Sequence, residues 1–327
     1  MIHHSAPTLG QEEAEAASRV VGTGQLAQGT EVQAFEEECA AFVGRRHAVA
    51  VSSGTAALHL ALGALGVRRP DLVAVPSYAC AALITAVELQ GGRPVLIDSK
   101  DDGNISPFAP HECTYAIVPH MFGKSTPAPL GMAVVEDIAQ SLGGNTGCAT
   151  AVAITSFYAT KLMTTGEGGM VLTDTEAIAA YVRDRRDYDN RALFLPRNNY
   201  KMTEMQAAVG RVQLRRLPDF LKRRRELAEK YEEQLSGLPL QLPAKENHVF
   251  FRYVIGADDA DGLIRHLALN GIEAKRPVYR PAHHYIGGTC PGADKAHQCF
   301  VSLPIYPSLN DTECETVAAA VRSYIEG

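Results

Sequence analysis

Several features that would place this chain in a specialised class are missing from its 327 residues. No apolar run approaches the ~20 residues that a membrane-spanning helix needs, so we expect no membrane partner. The N-terminus, Met-Ile-His-His-Ser-Ala-Pro, has no charged region followed by an apolar stretch, so we expect no secretory signal. The formal net charge is −6 and no basic block is present, which argues against nucleic acid as a partner.

Paired cysteine motifs are also absent. The seven cysteines are odd in number and show no CxxC spacing, so we expect neither a disulfide framework nor a bound metal. A chain without structural disulfides suits a reducing compartment, which predicts a cytoplasmic location. Hydrophobic residues make up 46% and charged residues 21% of the chain, as is typical of a globular enzyme.

Short β-branched runs alternate with small-residue helical stretches over the first two hundred residues. Seven apolar runs are predicted as strands: Ala48–Ser52, Leu72–Val75, Pro94–Ile97, Tyr115–Val118, Ala133–Val135, Ala151–Ile154 and Met170–Leu172. Near-continuous apolar strands separated by helices predict an α/β fold with a mostly parallel central sheet and helices on both faces. Ligands of such sheets bind beyond the carboxyl ends of the strands.

The pattern changes after residue 200. Thr203-Glu-Met-Gln206 has the form of a capping box, which predicts a helix from there to about Arg216. Because proline suits the first turn of a helix but not its interior, Pro218 predicts the start of a second, charged helix that ends near Leu235. We therefore divide the chain into a large domain, 1–236, and a small C-terminal α+β domain, 237–327.

Lys161 is the most informative residue, because it lies between an apolar strand and the Gly-rich turn Thr165-Gly-Glu-Gly-Gly169. A desolvated lysine amine loses its proton more readily and becomes a nucleophile toward carbonyl groups. Taken alone, a surface lysine in a loop is the simpler interpretation. Together with the motifs below, the position favours a Schiff-base lysine for pyridoxal phosphate.

Two further motifs lie where strands end. Ser53-Gly-Thr55 stands at a strand-to-helix turn, where free N–H groups and the positive end of the helix dipole suit a phosphate. Ser53 or Thr55 could equally do no more than cap that helix. Asp137 ends a strand, and a protonated pyridine nitrogen is one cationic partner that such a buried carboxylate can have. Simple capping by Asp137 and Gln140 is the alternative.

Weaker signals come from Asn199, before the capped helix, and from His283 and His284 in a Pro-flanked loop. An ordinary turn residue and exposed loop histidines are the simpler interpretations.

In order and spacing, these motifs resemble the sugar aminotransferases of the DegT/DnrJ/StrS group, which are fold-type-I pyridoxal-phosphate enzymes. The resemblance covers nearly the whole chain. Its segments are Gly29–Glu38, Ser53–Leu58, Val75–Tyr78, Gly92–Asp98, Glu136–Gln140, Ser156–Lys161, Thr165–Gly169 and Asn199–Ala208, with a weaker match at Tyr279–His283.

The resemblance implies a role for each matching residue. Lys161 would bind pyridoxal phosphate as a Schiff base and later move the proton, Asp137 would pair with the pyridine nitrogen, and Gln140 would lie against the phenolic oxygen. The phosphate would be held by Ser53, Gly54, Thr55 and Ser156. Asn199 would reach the phosphate in the partner subunit, which implies a homodimer with shared sites. His120 and His283 match family histidines near the substrate.

The chain also departs from the family pattern. Cys80 stands where most members have an aromatic residue stacked on the cofactor ring, and a thiol offers a smaller, polarizable contact. Lys201 replaces the usual arginine, and the segment Gly143–Ala151 is shorter than the usual insertion. These changes flank the substrate rather than the cofactor, so they affect the identity of the substrate more than the chemistry.

The resemblance implies a pyridoxal-phosphate-dependent aminotransferase with small-molecule substrates: glutamate as amino donor and a nucleotide-linked keto-sugar as acceptor. Two alternatives stay open. A non-catalytic paralogue or regulator would bind the cofactor without turnover. A sugar dehydratase of the same family would have histidine in place of the lysine, and Lys161 argues against that assignment.

Overall fold

A seven-stranded sheet forms the centre of the molecule in a computed structural model that describes residues 1–106, 112–129 and 131–327. The strand order is β1-β7-β6-β5-β4-β2-β3. The strands are β1 His47–Val51, β2 Leu72–Pro76, β3 Arg93–Ile97, β4 Tyr115–Pro119, β5 Ala133–Asp137, β6 Val152–Ser156 and β7 Gly169–Thr173.

The sheet is mostly parallel, as its apolar strands predict. Strands β2 to β6 pair with one another in parallel, whereas β7 runs antiparallel to both of its neighbours, β1 and β6. Nearly all residues of β1, β4, β6 and β7 are buried, because helices cover both faces of the sheet. The predicted fold class is therefore confirmed.

Ten α-helices surround the sheet and extend beyond it in the described part of the chain. They are α1 Gln11–Thr23, α2 Thr30–Val43, α3 Gly54–Ala64, α4 Ala82–Gln90, α5 Glu176–Arg185, α6 Glu204–Leu235, α7 Ala260–Leu269, α8 His283–Ile286, α9 Pro291–Cys299 and α10 Asp311–Glu326. A short 3₁₀ helix, Met121–Gly123, follows β4. Helix α3 carries apolar residues almost all round because it packs against both the sheet and α4.

The predicted break at Pro218 is wrong, because α6 is one continuous helix of 32 residues. Its first turn does carry the predicted capping box, in which Thr203 Oγ1 accepts a hydrogen bond from the Gln206 N–H. Pro218 removes one helical N–H, but Leu217 and Phe220 are buried on either side of it. Packing of these side chains outweighs the local preference of proline for a first turn.

The small C-terminal unit has its own core. Strands β8, Tyr253–Gly256, and β9, Phe300–Leu303, form an antiparallel pair that packs with α7 and α10. The second half of α6 contributes Leu227, Tyr231 and Leu235 to this core, and Ile2 packs against it. Division of the chain at residues 236 and 237 stays a prediction.

Two further features of the structure concern the cysteines and the length of the apolar helices. All seven cysteines are free thiols. Across residues 1–106, 112–129 and 131–327, no helix combines the length and the apolar character needed to cross a membrane.

Candidate active site

Predicted site residues collect at the carboxyl edge of the sheet. His120 follows β4, Asp137 ends β5 and Ser156 ends β6. Pro119 of β4 pairs with Asp137, and Asp137 pairs with Ile154 of β6, so the three strand ends lie side by side. The structure thus places these residues where open parallel sheets bind their ligands.

The start of α3 closely approaches the end of β6. Ser53 is the N-cap residue, and its Oγ accepts a hydrogen bond of 3.1 Å from the Ala56 N–H. A Cβ atom added to Gly54 would lie only 2.8 Å from Ser156 Cβ. The exposed amides of Gly54 and Thr55 and the hydroxyl of Ser156 therefore share one corner, which suits an anion because of the helix dipole. We call these four residues, Ser53, Gly54, Thr55 and Ser156, the α3 corner.

Lys161 lies on a fixed loop between β6 and β7. The Phe157 N–H donates to Gly168 O at 2.9 Å, and the Thr165 N–H donates back to Phe157 O at 3.0 Å. The Lys161 N–H donates to Tyr158 O at 2.9 Å. These bonds hold the backbone of the lysine in place beside the carboxyl ends of the strands.

Lys161, Asp137 and Cys80 lie close enough to shift one another's pKa. Burial lowers the pKa of the Lys161 amine; Asp137 and Cys80 oppose this shift, and Arg252 adds to it. Burial raises the pKa of the Asp137 carboxyl, which Lys161 and the Ala139 N–H oppose. Burial also raises the pKa of the Cys80 thiol, although the residue as a whole is exposed. Each shift favours the neutral form of its group.

The lysine and the aspartate form no direct ion pair. Among the described residues, the Lys161 amine has no hydrogen-bond partner, and it lies 5.3 Å from the centroid of the Phe251 ring. The Asp137 carboxylate accepts one hydrogen bond, from the Ala139 N–H at 2.9 Å. Because a buried carboxylate without an adjacent cation is costly, Asp137 favours a ligand that brings positive charge.

Gln140 holds a strained segment of the site wall. Its Oε1 accepts a hydrogen bond of 2.8 Å from the Phe122 N–H. Phe122 has a φ of 64°, in the left-handed region that bulky side chains rarely adopt. Such strain is common at functional sites. The adjacent carbonyl of Phe122 accepts the Arg252 N–H at 3.1 Å, so the strained segment connects the sheet to the small unit.

His120 is bonded within the protein. The Nδ1 atom of this buried ring accepts the Thr126 N–H at 3.0 Å. The ring proton of the neutral tautomer therefore lies on Nε2, which donates to Glu136 Oε1 at 2.9 Å. Both ring nitrogens are thus occupied by partners within the protein, and the ring lies near Asp137.

Both ring nitrogens of His283 also have partners within the protein. Its Nδ1 atom is 2.6 Å from Ser77 Oγ, and its Nε2 atom is 3.0 Å from Asp294 Oδ1. The ring is buried, and it connects the small unit to the loop that follows β2 and carries Cys80.

Asn199 is exposed at the surface beside the start of α3. The carbonyl of the next residue, Tyr200, accepts the Ser52 N–H at 2.8 Å, and the Tyr200 N–H donates to Arg186 O at 2.8 Å. Asn199 is therefore held on an anchored backbone near the α3 corner, with its side chain facing outward.

Sequence reasoning missed Arg252 and Phe251, which lie near the Lys161 amine on the side of the small unit. A signal was present in the sequence. Arg252 interrupts the otherwise apolar run Phe250-Phe-Arg-Tyr-Val-Ile255, and a charge within an apolar run requires a partner.

Comparisons with known proteins show which families, sequences and structures this chain is similar to. The model of the DegT/DnrJ/EryC1/StrS aminotransferase family matches residues 7–322. The spore coat polysaccharide biosynthesis protein SpsC of Bacillus subtilis is 32% identical over 100% of this chain and 97% of its own length. The erythromycin biosynthesis sensory transduction protein EryC1 of Saccharopolyspora erythraea is 34% identical over 94% of each chain. The crystal structure of S. venezuelae DesV in complex with a ketimine intermediate superposes on this chain with a TM-score of 0.91, and the match covers 97% of this chain and 95% of DesV. The two sequences are 32% identical.

Proposed function

Since this chain belongs to the DegT/DnrJ/EryC1/StrS aminotransferase family, we propose that it transfers the amino group of glutamate to a nucleotide-linked keto-sugar. The chain is an aminotransferase, and its cofactor is pyridoxal phosphate. The observation that carries the proposal is the pair Lys161 and Asp137, which lie together at the carboxyl edge of the sheet without a direct ion pair. The similarity to SpsC, a spore coat polysaccharide biosynthesis protein, supports a sugar as acceptor.

The residues of the site suit the cofactor. The α3 corner offers helix N-terminal amides and a hydroxyl for the phosphate, and the close approach of Gly54 to Ser156 leaves no space there for a side chain at position 54. Asp137 would bind the ring nitrogen, while Gln140 and Cys80 would lie beside the ring. Lys161 would supply the amine that binds the carbonyl carbon.

The chemistry divides between the cofactor and two side chains. When bound, pyridoxal phosphate supplies an electron sink for the electron pair of a broken carbon–hydrogen bond. Asp137 would keep a proton on the ring nitrogen, because the positive charge offsets the cost of burying its carboxylate. The lowered pKa of Lys161 leaves more of its amine unprotonated near neutral pH, so that it can take a proton from the substrate carbon and return it.

A stepwise experiment tests the proposal. The purified protein, loaded with pyridoxal phosphate, should lose its visible absorbance when glutamate is added, with release of one equivalent of 2-oxoglutarate. Nucleotide-linked keto-sugars are then added singly, and the acceptor should restore the absorbance and appear as an amino sugar by mass spectrometry. If only non-sugar ketones restore the absorbance, the assignment of a keto-sugar is wrong.

A second candidate is a cofactor-binding regulator, which is favoured by the similarity to EryC1, an erythromycin biosynthesis sensory transduction protein. Such a protein would bind pyridoxal phosphate but would not react with amino donors. The presence of both Lys161 and Asp137 argues against it, because a protein without turnover needs neither an amine that moves protons nor a carboxylate that keeps the ring nitrogen protonated. Cofactor absorbance that no amino acid changes would establish this candidate instead.

We also propose that the protein works as a homodimer in which Asn199 completes the phosphate site of the other subunit. Its exposure beside the α3 corner supports this. The segment before it carries four exposed large apolar residues, Tyr188, Leu193, Phe194 and Leu195, of which Phe194 is 90% exposed. Monomeric proteins rarely leave such apolar groups uncovered together, so a second copy is the occupant that we expect there.

Mixing two inactive variants tests the shared site. Lys161→Ala and Asn199→Ala proteins, exchanged as subunits, form a mixed dimer with one intact site and one site that lacks both residues. Activity should then return, up to about half that of a wild-type dimer when every dimer is mixed. The test requires Asn199→Ala alone to be clearly impaired. Mixed dimers that stay inactive would rule out the shared site.

A cytoplasmic location stays a prediction, which the free state of all seven cysteines supports.

A further inference from the structure

Arg252 places a guanidinium near the Lys161 amine. Its Cζ atom lies 4.9 Å from the centroid of the Phe251 ring, and Lys161 Nζ lies 5.3 Å from the same centroid. The positive charge of Arg252 contributes to the lowered pKa of Lys161. The Arg252 guanidinium and the Lys161 amine therefore border the same buried aromatic ring. The amine comes from the loop between β6 and β7, and the guanidinium from the segment just before β8.

The guanidinium has an unpaired edge. Its Nη1 atom lies 2.9 Å from His4 Nε2 and 3.1 Å from His4 Nδ1. In the described part of the chain, no acceptor is bonded to Nε or Nη2. These two groups form the edge with which arginine makes two parallel hydrogen bonds to a carboxylate.

No counter-charge neutralises Arg252 among the described residues. Burial and the nearby Arg252 lower the pKa of His4 to about 3, so His4 is neutral near pH 7. Glu273, the acidic group next to His4, accepts the His4 N–H at 3.1 Å and pairs with Lys275 at 2.7 Å. Burial lowers the pKa of Arg252 to about 10, which reflects the cost of a buried cation without an anion.

Two other arginines donate hydrogen bonds to oxygen acceptors of the protein. Arg224 donates to the carbonyl oxygens of Phe250, Phe251 and Ile305 at 2.9 to 3.2 Å. Arg186 is paired with Glu36 at 2.5 Å. Arg252 differs because, among the described residues, its side chain donates to no carbonyl or carboxylate oxygen, while its guanidinium borders the same ring as the Lys161 amine.

We propose that the Nε–Nη2 edge of Arg252 binds a carboxylate of the amino donor. The inference rests on the proposed function and adds a donor subsite to it. The carboxylates of an amino acid such as glutamate lie within a few bonds of its reacting nitrogen. The phosphates of a nucleotide-linked sugar are separated from the reacting carbon by part of the sugar ring, so the donor supplies the closer anion.

Binding measurements test this subsite without turnover. Glutarate, a dicarboxylate with no amino group, is titrated into the cofactor-loaded wild type and into Arg252→Met, and binding is followed by calorimetry. We expect Arg252→Met to weaken glutarate binding at least about tenfold, because two charge-assisted hydrogen bonds are lost. Arg252→Lys should fall between the two, since it keeps the charge but not the fork. Arg265→Met, at an exposed position of α7, should bind glutarate like the wild type.

Two further measurements separate the possible failures. UDP and dTDP, titrated into the same variants, test whether Arg252 instead serves the phosphates of the acceptor. Weakened nucleotide binding with unchanged glutarate binding would overturn the proposal. Cofactor absorbance shows whether each variant has bound pyridoxal phosphate, and thermal unfolding shows whether it is folded. If Arg252→Met is unfolded or lacks the cofactor, Arg252→Lys takes its place in the comparison. If the wild type reacts with glutamate and Arg252→Met binds glutarate equally well, only the donor subsite is wrong. If the wild type does not react with glutamate, the proposed function itself fails.

Discussion

Replacement of Gly54 by alanine tests the close approach at the α3 corner. The added Cβ would lie 2.8 Å from Ser156 Cβ, 3.1 Å from Ser156 Oγ and 3.5 Å from Ser156 Cα. Carbon atoms in proteins have their best contact at about 3.5 to 4.0 Å, so the start of α3 must move away from β6. Overpacking of this kind costs about 1 to 3 kcal/mol.

The cost should appear in one of two measurable forms. If α3 keeps its place, the free energy of unfolding falls by this amount. If α3 moves, the amides of Gly54 and Thr55 leave the corner, and cofactor binding weakens by up to roughly 5- to 150-fold, the equivalent of the same energy. Urea unfolding of the cofactor-free protein and absorbance titration with pyridoxal phosphate measure the two losses separately. Their sum should be about 1 to 3 kcal/mol.

Matched variants show whether the cause is the contact with Ser156. Gly22 lies inside α1 with no atom within 4 Å of an added Cβ, so Gly22→Ala should stabilise the protein by about 0.5 to 1 kcal/mol. Ser156→Gly removes the opposing Cβ and should recover part of the loss in the Gly54→Ala background. Ser156→Ala keeps that Cβ and should recover less. Gly54→Ala with normal stability and normal cofactor affinity would refute the reasoning.

Three further variants test the proton chemistry and one pH effect. Lys161→Ala should keep the fold and the phosphate contacts but lose amino transfer by several orders of magnitude, and near-normal single turnovers with glutamate would contradict the assignment. Asp137→Asn cannot hold positive charge on the ring nitrogen, so it should slow proton abstraction far more than it weakens substrate binding; a change confined to apparent affinity would count against the pairing. Burial lowers the pKa of His248 from 6.5 to about 3, so the unfolded chain binds the extra proton and stability should fall as pH drops from 6.5 toward 3. The loss of unfolding free energy is about 2 kcal/mol at pH 5. The variant His248→Asn can still accept the Phe250 N–H, and its unfolding free energy should depend less on pH over that range. An unchanged pH dependence would mean that His248 does not titrate as described.

Local sequence information was enough for most of the sheet and for the ends of several elements. Apolar runs predicted all seven strands of the central sheet to within two residues at each end, because a strand buried on both faces needs apolar side chains throughout. The cap at Ser53 and the capping box at Thr203 were visible because each depends on residues at most three positions apart. The same local rule failed at Pro218, where burial of neighbouring side chains outweighed the preference of proline.

By itself, then, the sequence determined the fold class, the carboxyl-edge location of the site and the candidate lysine, since these follow from periodicity, turns and motif order. Only the tertiary structure decided which side chains meet. His120 is bonded to Glu136 and the Thr126 N–H, and Arg252 lies beside the same ring as Lys161 although 91 positions separate the two in the chain. Such contacts depend on how the small unit packs against the sheet. Packing of this kind is a sum of many weak contacts between distant segments, and no local pattern in the chain specifies it.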